Sequence, residues 1–360
     1  MTLNQQLRFW VIALAAVLAL LWLFADILLP FVAGMALAYL LDPVADRLER
    51  MGLPRLAATL LILAVFTVIF IVAVVALVPV LASQLDALIL RFPEYADRLK
   101  TLFDRWSQGW LGRILHDGTS GIESNIGTIL QNLAAWFGTF MKSLLNGGLA
   151  VVNMVALFVV TPVVAFYMLV DWDNMIARLD DLLPRDHKQT VREIMSQIDE
   201  ALAGFIRGQT MVCLILGGFY AIGLTTIGLN FGLLIGLGAG LISFVPYVGS
   251  ISGFLVAISV ALVQFWPDWT YVAATAVVFI VGQTIEGNIL QPKLVGGHVG
   301  LHPVWLMFAL FAFGYLFGFV GMLLAVPVAA AIGVVARFAV GKYLQSPLYH
   351  GTAGPQDSED

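Results

Sequence analysis

The stretch GQTIEGNILQPKLVGG, residues 282–297, sets a carboxylate, amides, a proline and an ammonium close together at the end of an apolar run. Glu286 is the one charged residue between Trp269 and Leu290. A charge at the centre of a membrane helix costs about 2.5–3.5 kcal/mol on insertion scales, and such residues usually face a cavity or a partner. Gln283 lies three residues before Glu286, on the same face of a helix. Pro292 cannot donate back to the carbonyl of Asn288, so that carbonyl is expected to be free, one turn from the carboxylate. Lys293 is the expected counter-charge near the membrane edge. Two readings stay open. Glu286, with Gln283, Asn288, Pro292 and Lys293, lines a transport path as proton carrier or fixed polar contact. Alternatively it sits at the interface and pairs with Lys293 or with an arginine of a neighbouring subunit.

Other chemistries find little support. His298 and His302 are one turn apart in a helix, but no third ligand is near, and no metal site or cofactor is expected. The single cysteine, Cys213, lies in an apolar run and has no partner for an internal disulfide. No Ser/His pair, paired membrane aspartates or HExxH motif is present, so the chain is expected not to be an enzyme. The net charge of −5 argues against a nucleic-acid partner.

The elements that must position Glu286 follow from composition. Of 360 residues, 60% are hydrophobic and 11% charged, whereas a soluble domain is nearer a quarter charged. The surplus apolar surface needs a lipid solvent, and the long uncharged runs suit helices rather than barrel strands. The fold class expected is an all-α integral membrane protein of about eight transmembrane helices, some interrupted by Pro or Gly, with amphipathic extramembrane helices. Runs 9–25 and 27–41 read as a helical hairpin, the first a retained span rather than a cleaved signal. Runs 56–85 and 143–170 hold the third and fourth spans. Residues 208–267 carry no Asp, Glu, Lys or Arg; as one helix they would extend about 90 Å, so they must fold back, with TTIGLNFG (225–232) the best turn. Residues 269–290 and 303–336 supply the remaining spans. Residues 86–117 balance five acids against five bases and read as short helices outside the bilayer. Residues 188–207 read as an amphipathic helix.

The division expected is an N-terminal three-span unit (9–81), an extracytoplasmic amphipathic segment (82–148), a fourth span (149–170), a cytoplasmic amphipathic segment (171–207), a C-terminal transport core (208–343) and a disordered acidic tail (344–360). Arginine-bearing short loops at 42–57 and 171–207, with Arg337 and Lys342, place both termini in the cytoplasm; Lys293 falls on the opposite side.

Two segments are interrupted midway. LISFVPYVGSISGFLVAI (241–258) holds Pro246, Gly249 and Gly253, and GYLFGFVGMLLAVPVAAAIG (314–333) holds Gly318, Gly321 and Pro327. Such breaks need protein or water to satisfy freed backbone groups, and in transporters they mark sites and gates; close packing through small residues is the competing account. The two segments match at an offset of 72: Leu234 with Leu306, Val248-Gly249 with Val320-Gly321, Val256-Ala257 with Val328-Ala329. Whether 231–264 and 303–340 cross fully or form re-entrant hairpins is open. Asn230, Ser243, Ser250, Ser252, Gln264 and Thr284 are further polar groups that could meet an uncharged solute.

FIRGQ (205–209), SFVPYVGSISG (243–253), EGNILQPKLVGGHVGLHP (286–303) and FGFVGMLLAVPVAAAI (317–332) resemble the hallmark segments of the autoinducer-2 exporter (AI-2E) family of bacterial membrane proteins. The resemblance runs from about residue 8 to 343. It implies a multi-pass permease of the cytoplasmic membrane, assembled as a homo-oligomer, a pentamer, that exports a small polar solute such as the quorum-sensing signal autoinducer-2. Sodium or lithium/proton antiport is the alternative activity in the family. The amphipathic stretches in 86–142 and 171–207 leave a further reading open, a non-transport membrane scaffold that binds partners. The partners expected are the lipid bilayer, a small polar solute or Na⁺/H⁺, and copies of the chain itself.

Overall fold

The structure is a computed structural model; it describes residues 23–107, 148–183, 188–246, 248–295 and 302–346, with isolated positions besides. Most of the first expected span, 9–25, residues 108–147 of the expected amphipathic segment 82–148, His298 and nearly all of the acidic tail lie outside the described residues.

The described chain is helical. The helices are α1 Ala25–Arg50, α2 Arg55–Ser107, α3 Gly148–Asp181, α4 Lys188–Thr226, α5 Gly232–Ile242, α6 Val248–Phe265, α7 Trp269–Ile285 and α8 Pro303–Leu344, with a π-helical segment, Glu286–Val295, between α7 and α8. Among the described residues, seven helices are long and apolar enough to cross a membrane. Many large apolar side chains are exposed, Phe311 at 79% and Tyr315 at 91% among them, as lipid-facing surface requires. The protein is an all-α integral membrane protein.

One difference from the sequence reading lies in α2. A span followed by short helices was expected; 55–107 is instead one helix of 53 residues, about 80 Å long. The composition changes near residue 85, but the helix continues through it. The charged residues there are helix-compatible, and Glu94 pairs with Arg98 one turn on at 2.6 Å. Residues 188–207 likewise run unbroken into the apolar part of α4.

The chain divides into two compact units. One comprises Met1–Leu63, Leu157–Gln209 and Gln291–Asp360; the other comprises Ala64–Ala156 and Thr210–Leu290. In the first, Arg55 gathers the chain ends of three helices. Its guanidinium binds Asp42 and Asp46 at 2.7 Å each and Glu49 at 3.3 Å, and its Nε donates to the Leu169 carbonyl at 2.8 Å. Gly34 of α1 lies so close to α3 that a β-carbon would come within 2.6 Å of the Val164 side chain. Asp180 holds Arg192 through two bonds of 2.6 Å and Lys188 at 2.9 Å, closing the turn from α3 to α4.

In the second unit the uncharged stretch folds back twice. Gly228 and Phe231 take positive φ, 79° and 62°, in the turn expected at 225–232. From there α5 runs antiparallel to α4. Gly232, Gly236 and Gly240 form a stripe whose β-carbons would strike Leu224, Ala221 and Gly217 in turn. Gly238, off that face, meets nothing. The helix stops at Ile242 and resumes at Val248, because Pro246 cannot bond back to Ile242. Gly249 and Gly253 then let α6 lie against Ser243, the C-cap of α5, and against Ala239 within it. At the far end, Gln264 of α6 accepts from the Asn230 amide at 2.7 Å and donates to the Gly228 carbonyl at 2.8 Å. The 11 residues of α5 cover about 16 Å, roughly half a hydrocarbon core, and α6 ends beside the turn from which α5 began. α5 and α6 therefore form a helical hairpin whose two ends lie side by side.

In the first unit α8 repeats the pattern. Its helix is interrupted at Gly318, with φ 60° and ψ −141°, a conformation only glycine adopts readily. The arms fold back on each other there: a β-carbon on Gly321 would strike the Phe313 carbonyl, and one on Gly314 would lie 3.0 Å from Met322. Displaced by 72 residues, Pro246 falls on Gly318 and Gly249 on Gly321. The matching positions thus do matching work, the first breaking the helix and the second letting the return arm touch the first. His302 is the N-cap of α8, its side chain accepting from the Val304 amide at 3.3 Å.

Candidate transport site around Glu286

Glu286 closes α7 and begins the π-helical segment. Only 4% of it is exposed, although its neighbours Gly287 and Asn288 are exposed. The carboxylate therefore faces the interior of its unit. Gln283, one turn back, donates its amide to Glu286 Oε2 at 3.1 Å, as their spacing predicts. Tyr220 of α4 is fully buried and stacks on Phe279 of α7 at 4.6 Å. It fits because residue 282 is glycine: a β-carbon there would strike its ring. The Tyr220 hydroxyl thus lies against α7 one turn before Glu286. It has no hydrogen-bond partner among the described residues. Both Tyr220 and Cys213 lie within electrostatic reach of the Glu286 carboxylate.

An unpartnered buried hydroxyl carries a desolvation cost of about 1–3 kcal/mol. A carboxylate and this phenol thus lie about one turn apart along α7, both buried. The arrangement can hold a proton, a small cation or the hydroxyl of a polar solute.

The π-helical segment changes one part of the sequence reading. In a wide-turn ladder each N–H reaches the carbonyl five residues back rather than four. The donor missing at Pro292 then leaves the Gly287 carbonyl, not that of Asn288. The Asn288 side chain turns back to its own helix, donating to the Thr284 carbonyl at 3.1 Å. Pro292 and Lys293 are exposed. Where the wide turns lie, Gly208 of the FIRGQ motif meets the backbone of Leu294, so closely that a β-carbon would strike the carbonyl. Asn230 is not brought to Glu286. It binds Gln264 and, through Nδ2, the Tyr95 hydroxyl at 3.1 Å, at the end of the unit where α7 starts. The 17 residues of α7 put about 25 Å between that end and Glu286. Ser243, Ser252 and Thr284 each donate to a carbonyl one turn back in their own helices. Pro246 and Gly249 stand at the tip of the first hairpin, Gly253 one turn along α6, Gly318 and Gly321 at the tip of the second, and Pro327 buried in its return arm.

Sequence reasoning missed Tyr220. Its signal is faint: an aromatic in α4 and a glycine in α7 gain meaning only when the two helices are opposed.

Residues 11–341 match the family model described as AI-2E family transporter. The chain belongs to the AI-2E transporter family. It is similar to the Bacillus subtilis (strain 168) protein named "Putative transport protein YrrI", 32% identical over 86% of this chain and 85% of that protein. It is also similar to "Putative permease PerM" of Escherichia coli (strain K12), 26% identical over 90% of both chains. A third relative is "AI-2 transport protein TqsA" of Escherichia coli (strain K12), 23% identical over 88% of this chain and 87% of that protein. Of the four motifs that carry the AI-2E resemblance, FIRGQ lies in α4, and the other three fall on the two hairpins and the π-helical segment as far as they are described.

Proposed function

We propose that the protein is a permease of the bacterial cytoplasmic membrane that exports a small polar solute, with Glu286 as the polar contact inside its transport core. One observation carries the reading: a buried carboxylate beside a buried hydroxyl that has no partner among the described residues. A buried hydroxyl left without a partner destabilises the fold, so its presence beside the carboxylate supports a ligand role. An autoinducer-2-like solute suits this chemistry, being small, hydroxyl-rich and without positive charge; the Escherichia coli relative is named an AI-2 transport protein. Both termini are placed in the cytoplasm, and the protomers are taken to assemble as a homo-oligomer, a pentamer, which native mass spectrometry would count.

A second reading, sodium or lithium/proton antiport, is favoured by the same carboxylate, since it can exchange a proton for a metal cation in an apolar interior. Flux in vesicles reconstituted with the full chain separates the two. Uptake of autoinducer-2 into inside-out vesicles, abolished in Glu286→Gln at unchanged oligomer size, supports export. Sodium-driven pH change without autoinducer-2 uptake supports antiport. Full activity of Glu286→Gln in both assays overturns the assignment of Glu286.

A further inference from the structure

We propose a second ligand site, separate from Glu286: a cavity at the arginine-bearing end of the first unit that takes a small organic ammonium ion with an apolar body. The cavity has a volume of about 520 Å³ and lies among α1, α3 and α4. Its walls combine the two chemistries that recognise such a cation. Tyr39 and Trp172 meet edge to face, with ring centres 6.0 Å apart, and aromatic faces attract cations. Asp42, Asp199 and Glu200 bring three carboxylates to the same lining, against the single guanidinium of Arg207.

The positive charges nearby are already taken up. Arg55 binds Asp42 at 2.7 Å. Arg207 donates through Nε to the Tyr39 carbonyl at 2.8 Å, and its Nη2 is 3.9 Å from Asp42. Among the described residues, Asp199 accepts from the Tyr39 hydroxyl alone, at 2.8 Å. Among the described residues neither Asp199 nor Glu200 enters an ion pair. The lining is thus left with surplus negative charge beside two rings, and Met35 and Met168 supply an adaptable apolar wall. An alkali ion has no apolar body to set against the methionines. An anion would meet two uncompensated carboxylates.

The test uses purified full-length protein and three probes that share one body: phenethylammonium, 2-phenylethanol and phenylacetate. Thermal unfolding is followed as each is titrated. A saturable rise in Tm with phenethylammonium alone is the expected result. Asp199→Asn combined with Glu200→Gln should weaken apparent binding about tenfold or more, the range of charged hydrogen bonds. Trp172→Leu should weaken it about threefold, whereas Trp172→Phe, which keeps a ring, should retain most of it. Equal shifts with all three probes, or no shift with the cation, overturn the proposal in the wild-type protein alone, whatever the variants do. Autoinducer-2 or sodium flux is read separately, so failure here leaves the Glu286 reading standing, and the reverse.

Discussion

At Tyr220 a single oxygen separates two accounts of the buried site. If the hydroxyl serves a ligand, Tyr220→Phe keeps the stacking on Phe279 and removes only the group that lacks a partner. Stability should then hold or rise by up to about 1 kcal/mol, because an unsatisfied buried hydroxyl is lost, while flux falls several-fold. Thermal unfolding and vesicle flux on the same preparation read both. Loss of stability with flux unchanged would make the phenol a packing device. Gly282 is the complementary position. A β-carbon there strikes the Tyr220 ring, and the closest atoms belong to a stacked aromatic with little room to move. Gly282→Ala should destabilise by about 1–3 kcal/mol, the usual range for overpacking.

At the scale of elements, the glycines of α5 give a paired prediction. Gly240→Ala drives a methyl into the Gly217 backbone, whereas Gly238→Ala meets open space. The first should lower Tm; the second should leave it equal or slightly higher, since alanine is the better helix former by about 1 kcal/mol. Equal effects of the two would mean that α5 does not pack on α4 through this stripe. The hairpin tips differ in kind. Gly318 holds a backbone conformation closed to other residues, so Gly318→Ala should cost about 1–3 kcal/mol. Pro246 ends a helix without backbone strain at its own position. Pro246→Ala restores a helical donor and should extend α5 across the break, lowering flux while the protein stays folded; unchanged flux would leave the break without a transport role.

At the scale of the whole molecule, the predictions concern sides of the membrane. With Cys213 replaced by serine, single cysteines at Ser107 and Gln189 test the orientation in intact cells against an impermeant thiol reagent. Ser107→Cys should label and Gln189→Cys should not. A re-entrant reading of the α5–α6 hairpin makes a sharper claim. Since α6 returns to the turn at which α4 ended, Thr226→Cys and Thr270→Cys should label from the same side; a full crossing by 231–264 would separate them. If they agree, α7 carries the chain back, and Lys293 joins the arginine-bearing side instead of opposing it. Lys293→Cys should then be protected in intact cells. This arrangement puts Lys293, Arg337 and Lys342 together, as the bias of basic residues toward the cytoplasm favours.

The membrane class, the helical content and the turn at 225–232 were legible in the chain itself, because they depend on local quantities. Too little charge for water, runs of about 20 apolar residues, and glycine where φ turns positive all act over a few neighbouring positions. Glu286 was legible for the same reason, as a charge without local justification. The breaks at Pro246 and Gly318 were visible too, along with their common offset. What each break did was not visible, since a proline ends a helix whether the chain then continues or returns. That was decided by Gln264 reaching Gly228 and Asn230, a contact across more than thirty residues. Tyr220 and the cavity beside Trp172 likewise exist only where separate helices meet. Burial, partner and cavity are properties of what lies opposite a residue, and the opposing residue is chosen by packing.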